Sequence, residues 1–235
     1  MRHLAAPRLR GRPRTELLPD PVIVAFDPGV TTGWSVIKVH PDALVLPDIS
    51  ILENVEHWSY GQIACESVDA KVESADSARA RHRAVVSRLA GNGFTVDSSP
   101  ECAAIQEMVE LVRQWPGCAV VMEDFIIRQM NMSRDFLAPV RIMAGMDYAL
   151  WKMGTQAYRQ QPSEAKTAVT DARLKAWGFY RSDGAERHAR DATRHALVFL
   201  RKCKDISKGE GRRKLAWPHI YGRLTGTSGA VSIGA

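Results

Sequence analysis

Two short apolar runs, each closed by an acid, constrain this chain most. Val22-Ile23-Val24-Ala25-Phe26 ends on Asp27, and Ala119-Val120-Val121-Met122 ends on Glu123. Continuous apolar, β-branched stretches of this length read as strands buried on both faces, because a half-exposed strand alternates with polar residues. Such strands lie inside a sheet with helices covering its sides. Asp27-Pro28-Gly29 stops the first strand with turn chemistry. Gly33 to Val39 follows so closely that the two make a hairpin. Ile51 to Ile63 supplies a third strand region, so the fold opens with an antiparallel three-stranded meander.

Helical patterns occupy much of the remainder. Ser77 to Leu89 has helical composition and stops at Gly91-Asn92-Gly93. Ser99 to Trp115 starts with a Ser cap and a Pro at the first helical position, and ends before Pro116-Gly117. A long helix is predicted over Ser133–Met153. Its apolar arc, built from Phe136, Val140, Met143 and Leu150 with Ile142, Met146, Ala149 and Met153 beside them, is wider than the roughly 100° of a single core-facing stripe. It fits either a helix sandwiched in a core or a dimer face. Thr155 to Gln160 reads as a short strand, Pro162 to about Trp177 as a helix, and Asp183 to Arg201 as the last helix. The order predicts an α/β fold with a mixed five-stranded sheet, three antiparallel strands then parallel ones, flanked by helices. Residues 1–20 are expected to be a basic disordered tail, 21–205 the folded domain, and 206–235 a basic, Gly/Ser-rich flexible tail.

The net charge of +6 is concentrated at the ends. Residues 1–14 carry Arg2, Arg8, Arg10, Arg12 and Arg14 with no acid, and a second basic stretch runs from Arg201 to Arg223. Basic ends suit a polyanionic partner, because each phosphate they neutralise releases counterions; they equally suit a solubilising tail. No apolar run approaches the ~18–20 residues that span a bilayer. The Arg-rich start lacks the apolar segment of a secretory signal. A cytoplasmic location is expected. Cys65, Cys102, Cys118 and Cys203 form no C-x-x-C pair and no zinc spacing, so free thiols are expected.

Asp27 and Glu123 stand at the C-terminal ends of their strands, the edge where open α/β sheets bind ligands. Asp191 falls inside the last helix, in HARDATRHAL, with His188 three residues before it on the same face. His195 lies seven residues past His188, near the same stripe, and reads as a half-buried helix histidine. Singly, Asp27 fits a strand-end cap, Glu123-Asp124 a solvated turn and Asp191 an exposed helix acid. Jointly they fit phosphodiester hydrolysis, in which two cations about 3.5–4 Å apart place a water and screen the growing charge. Magnesium takes oxygen ligands and keeps several waters; manganese also accepts an imidazole. Gly29 beside Asp27 leaves room for close approach.

These residues call up a known family. VIVAFDPGVTTGWSVI resembles the opening hairpin of RuvC-type Holliday junction resolvases of the RNase H-like superfamily, which reads I-G-I-D-P-G, a few residues, then T-G-W or T-G-Y. Tyr60–Ile63 (YGQI) resembles that family's third-strand end, VVMEDF its second catalytic strand, QPSEAKTAV its P-x-x-x-K helix start, and HARDATRHAL its final metal-binding helix, in the version with His, two residues, then Asp. The resemblance runs from about Val22 to Leu200. It implies catalytic metal ligands at Asp27, Glu123, His188 and Asp191, two magnesium or manganese ions, and a homodimer formed through the 133–153 helix on branched DNA. Phe125, Arg128, Lys166, Arg190 and Arg194 are candidate DNA contacts around those acids. The chain departs from the family in two places. TDARLKAWGFYRSDGAE stands where a glycine-rich DNA-touching segment usually lies, and Cys65 to Ala119 is longer than usual. Phage-encoded RuvC-like nucleases vary in this way, which points to a broad branched-DNA endonuclease acting in a bacterial cytoplasm or infected host.

Two other readings start from the same residues. A non-catalytic junction-binding protein on this fold would keep the DNA contacts without the chemistry. An actin-like ATPase would echo DPGVTTG as a phosphate turn, but needs a second related domain and a Gly-rich phosphate loop that this chain lacks.

Overall fold

The structure, a computed structural model, describes residues 20–65, 100–125, 134–180, 187–205 and 209–217. The expected helix at 77–89, the Ser99 cap, Arg128 and both extreme ends of the chain lie outside the described residues. Strand β1 is Val22–Asp27, β2 Thr31–Val39, β3 Val55–Ala64, β4 Ala119–Glu123 and β5 Ala157–Gln160. The helices are α1 (Asp42–Val45), α2 (Pro100–Arg113), α3 (Arg134–Lys152), α4 (Pro162–Ala168), α5 (Asp171–Trp177), α6 (Arg187–Lys204) and α7 (Gly209–Ala216).

The strands form one five-stranded sheet in the order β3-β2-β1-β4-β5. β1, β2 and β3 pair antiparallel, while β4 runs parallel to β1 and β5 parallel to β4. This is the mixed five-stranded sheet, three antiparallel strands then parallel ones, expected from the sequence. Side chains alternate across a strand, so each strand feeds two cores. Ile23 and Ala25 of β1, with Ala119 and Val121 of β4, face a core shared with α6. Val24, Phe26, Val120 and Met122 face the opposite core, against α2 and α3. Asp27 and Glu123 continue the first of these alternations, which aims both carboxylates at the α6 side.

Helix α6 is buried all round its middle, from Asp191 through Leu200. A helix without a polar face belongs between layers. Here the sheet lies on one side, with α1, α4 and α7 packed against the others.

Three sequence expectations differ from the structure. The 162–177 helix is broken at Val169-Thr170, because the Thr170 hydroxyl accepts from the Arg173 N–H at 3.3 Å and caps a new helix. The last helix, described over Arg187–Lys204, runs past the expected end at Arg201, and its expected start at Asp183 lies outside the described residues. Residues 209–217, read as part of the flexible tail, carry α7 and Trp217, which is 1% exposed and meets Phe199 edge-on. One aromatic anchors this segment, so it needs no periodic apolar pattern. On the long helix, for which a core face and a dimer face both stood open, Ile142, Met146 and Leu150 of α3 are fully buried in the chain's own core. Gly145 lets α2 approach, since a Cβ there would stand 2.3 Å from Ile105 Cδ1. Ile142 and Met146 are therefore core residues of the single chain. A charge at either position would disrupt the fold itself.

No helix among the described residues is long and apolar enough to cross a membrane.

Candidate active site

Asp27 and Glu123 come side by side because β1 and β4 pair in parallel with Phe26 opposite Met122, and each acid is the next residue of its strand. β5 adds Gln160, the register partner of Glu123. Three polar residues thus end three adjacent strands on one edge of the sheet.

Helix α6 crosses above them. His188, Asp191 and His195 fall at i, i+3 and i+7, hence on one face. Seven residues of helix advance about 10.5 Å, close to two strand spacings of about 4.8 Å each. The helix accordingly starts over β2 and reaches β4. At its start, a Cβ on Gly33 of β2 would lie 2.0 Å from the His188 backbone, so only glycine admits the helix there. Gly33 is the register partner of Asp27, and this close approach carries the His188 ring to that acid. His188 Nδ1 hydrogen-bonds Asp27 Oδ2 at 2.8 Å. Two turns later, His195 Nε2 meets Glu123 Oε2 at 2.8 Å and its Nδ1 meets Gln160 Oε1 at 3.2 Å.

The acids share one electrostatic neighbourhood. Burial pushes the Asp27 carboxyl above the usual carboxylate range; the nearby charges of Glu123 and Asp191 push the same way, against the hydrogen bond from His188. That hydrogen bond raises the His188 imidazole above its ordinary value. Asp191, 5% exposed, is contacted by the Arg194 guanidinium and lies 3.4 Å from Lys166 Nζ.

The candidate DNA contacts divide into distinct groups. Arg194 is buried. Its guanidinium bridges Asp191 and Asp171, and its Nε donates to the Val169 carbonyl at 3.0 Å. It clamps α6 to the α4–α5 junction and is no surface phosphate contact. A planar fork with several donors suits such bridging. Lys166 keeps about half its side chain exposed beside Asp191. Arg190 lies 5.3 Å from the centroid of the Tyr180 ring, which also carries Lys175 at 4.6 Å. Phe125 is half-buried just beyond β4.

Among the described residues, no three His, Cys, Asp or Glu side chains are arranged to hold a metal ion. Each acid instead has a protein partner: His188 on Asp27, His195 on Glu123, and Arg194 with Lys166 on Asp191. The donor chemistry nevertheless fits a hard divalent cation. Asp27, Glu123 and Asp191 bring carboxylates, and His188 an imidazole, close enough that the charges of Glu123 and Asp191 act on Asp27 beside the larger effect of its burial.

Sequence reasoning missed Gln160, the function of Gly33 and the His195–Glu123 contact. The available signals were a polar residue ending a short strand and a second histidine on the stripe of the first.

No protein-family model matches the chain, and no curated protein matches it. Among solved structures it is similar to Thermus thermophilus RuvC in complex with a Holliday junction substrate, with a TM-score of 0.45 and 16% identity over 78% of this chain and 95% of that one. It is likewise similar to a second Thermus thermophilus RuvC structure, with a TM-score of 0.42 and 16% identity over 76% and 92% of the two chains. Both overlays are loose, and the chemistry of this site follows from its own side chains.

Proposed function

We propose that this chain is a divalent-metal-dependent endonuclease of the RuvC type that cuts branched DNA: Holliday junctions and related forks and flaps. The observation that supports it most is the meeting of the strand-end acids Asp27 and Glu123 with His188 and Asp191 of α6. Magnesium or manganese, two ions held by these four side chains, would activate the attacking water and screen charge on the scissile phosphate. The chain's own groups do the rest. Burial of Asp27 strengthens electrostatics at the reacting edge. Lys166, half exposed beside Asp191, meets a phosphate oxygen as a point charge. Phe125 and Arg190 flank the edge and hold the strand by stacking and charge.

The test is nicking of four-way, three-way, flap and linear DNAs of matched length, in magnesium or manganese at fixed salt. Branched substrates are expected to be cut well ahead of linear duplex; equal cutting of all four removes branch recognition from the proposal. A second reading, a non-catalytic junction binder, is favoured by the internal pairing of every acid. Tight four-way-junction binding with no cleavage in either metal would establish it.

In this reading His188 is a metal ligand and not a general base. His188→Asp is expected to keep much of the activity, since a carboxylate is a good magnesium ligand. His188→Ala is expected to lose more and to recover partly at high manganese. A metal titration of the nicking rate checks this: equal loss in both variants at every metal concentration refutes the ligand role, as does full activity in both.

The homodimer belongs to the same proposal, on the outward face of α3. There Tyr148 and Trp151 are 62% and 73% exposed and stacked, with Met153 beside them. Two-fold pairing suits a near-symmetric junction, each subunit meeting one strand. Trp151→Glu is expected to yield monomers by light scattering, with a native circular dichroism spectrum showing that they are folded. A monomeric wild type at micromolar concentration, with and without DNA, removes the dimer.

A further inference from the structure

We propose that His195 is a positioning residue for Glu123, held in one tautomer by Gln160 so that its Nε2–H always points at the carboxylate. The geometry is a three-residue chain across two strands and a helix. Gln160 and Glu123 are register partners at the ends of β5 and β4. His195 of α6 lies between their side chains, 3.2 Å from the Gln160 amide and 2.8 Å from the Glu123 carboxylate. The ring is completely buried and Gln160 is 4% exposed, so neither has water to fall back on.

Donor counting selects the tautomer. As placed, both ring nitrogens face oxygens, Gln160 Oε1 and Glu123 Oε2. The Gln160 Nε2 is meanwhile buried with no hydrogen-bond partner. Such an orphaned donor costs about 1–3 kcal/mol. A half-turn of the amide, whose two ends are nearly the same shape, gives the orphaned N–H an acceptor in the His195 ring. Gln160 Nε2–H then donates to His195 Nδ1, and His195 Nε2–H donates to Glu123. In this arrangement the imidazole cannot flip without losing two hydrogen bonds. Glu123 is 18% exposed at its side chain, and this chain fixes one of its oxygens and leaves the other for the site. An outer partner of this kind orients a ligand and raises its effective affinity for a cation. The inference rests on the reading of Glu123 as a metal ligand.

Two measurements test it. The first needs no metal. In uniformly 15N-labelled full-length protein, the His195 ring is expected to show a protonated Nε2 and an unprotonated Nδ1, and Gln160→Leu is expected to shift that pattern. A protonated Nδ1 in the wild type, alone or together with Nε2, overturns the assignment. The second is manganese binding by electron paramagnetic resonance. His195→Leu preserves volume and removes the donor; it is expected to weaken manganese binding about 10–100-fold, the usual effect of losing an outer partner. His195→Gln places an N–H at the Nε2 position and is expected to restore most of that affinity. Unchanged affinity in a folded His195→Leu overturns the proposal while leaving the metal centre intact. A wild type that binds no manganese overturns the metal centre and, with it, the role given to His195.

Discussion

Asp27→Asn and Glu123→Gln are each expected to abolish the proposed nicking, by about 10³-fold or more, with DNA affinity staying near the wild-type value. The magnitude follows from the several kcal/mol that metal-assisted charge stabilisation supplies, at a tenfold rate change per 1.36 kcal/mol. Affinity is expected to survive because, in the proposed reading, phosphate contacts fall to basic groups elsewhere, the Arg-rich first residues and Lys166 among them. Stability separates this account from a plain structural one. Burial raises the folded-state value of Asp27 above its ordinary one, so the stability linked to its proton is present at low pH and is lost as pH rises through that value. At neutral pH the ionised acid is therefore a cost to the fold. Asparagine removes the charge and still accepts from His188. Asp27→Asn is expected to melt at or above the wild-type temperature near pH 7.5, whereas a strand-end cap would melt lower on losing its charge. A nicking assay beside a thermal melt decides it: near wild-type cutting by either variant at millimolar magnesium ends the metal-site proposal.

Parts of this molecule were legible before its structure because they depend on local pattern. The buried runs at 22–26 and 119–122 identified the central strands and the acid that closes each; which face that acid joins is visible only in the division of each strand between two cores. The three-residue spacing of His188 and Asp191 placed them on one helix face. What stayed hidden depends on neighbours distant in sequence. His195 and Glu123 are 72 residues apart, and no periodicity links them. Arg194 sits one residue away on the same helix and read as a surface cation; only Asp171 and the Val169 carbonyl reveal it as an internal clamp. The α3 stripe announced a buried face without saying what buries it, and the answer is the chain's own Phe26 and Met122 layer. Trp217 shows the converse limit, because a single aromatic seated against Phe199 orders a segment whose composition resembles a tail.

The second large effect is expected from a single methyl group. Gly33→Ala puts a Cβ 2.0 Å from both the carbonyl carbon and oxygen of His188, and 2.5 Å from the Ala189 nitrogen. All three are backbone atoms, so no rotamer change relieves the clash. Carbon contacts need about 3.5–4.0 Å, which requires α6 to lift from β2 by more than an ångström. The helix has little slack, since its middle is buried on every side and close-packed interiors transmit such strain. Overpacking of this kind costs about 1–3 kcal/mol, occasionally more. The displacement falls at the worst place for function. Gly33 pairs with Asp27, and the lifted residue is His188, whose ring bonds that acid. A shift of about 1 Å at reacting groups costs on the order of 10²-fold in rate. Gly33→Ala is therefore expected to lower the urea midpoint and to reduce nicking about 10²-fold even at saturating metal. Gly211→Ala in α7, where a Cβ meets nothing within 4 Å, serves as the control and is expected to be neutral or slightly stabilising, as for alanine in any exposed helix. If Gly33→Ala matches the wild type in both assays, α6 does not cross β2 at this residue, and the placement of His188 over Asp27 fails with it. Loss of activity with the urea midpoint preserved would instead mean that the helix yields locally, and that the glycine holds the geometry of the site more than the stability of the fold.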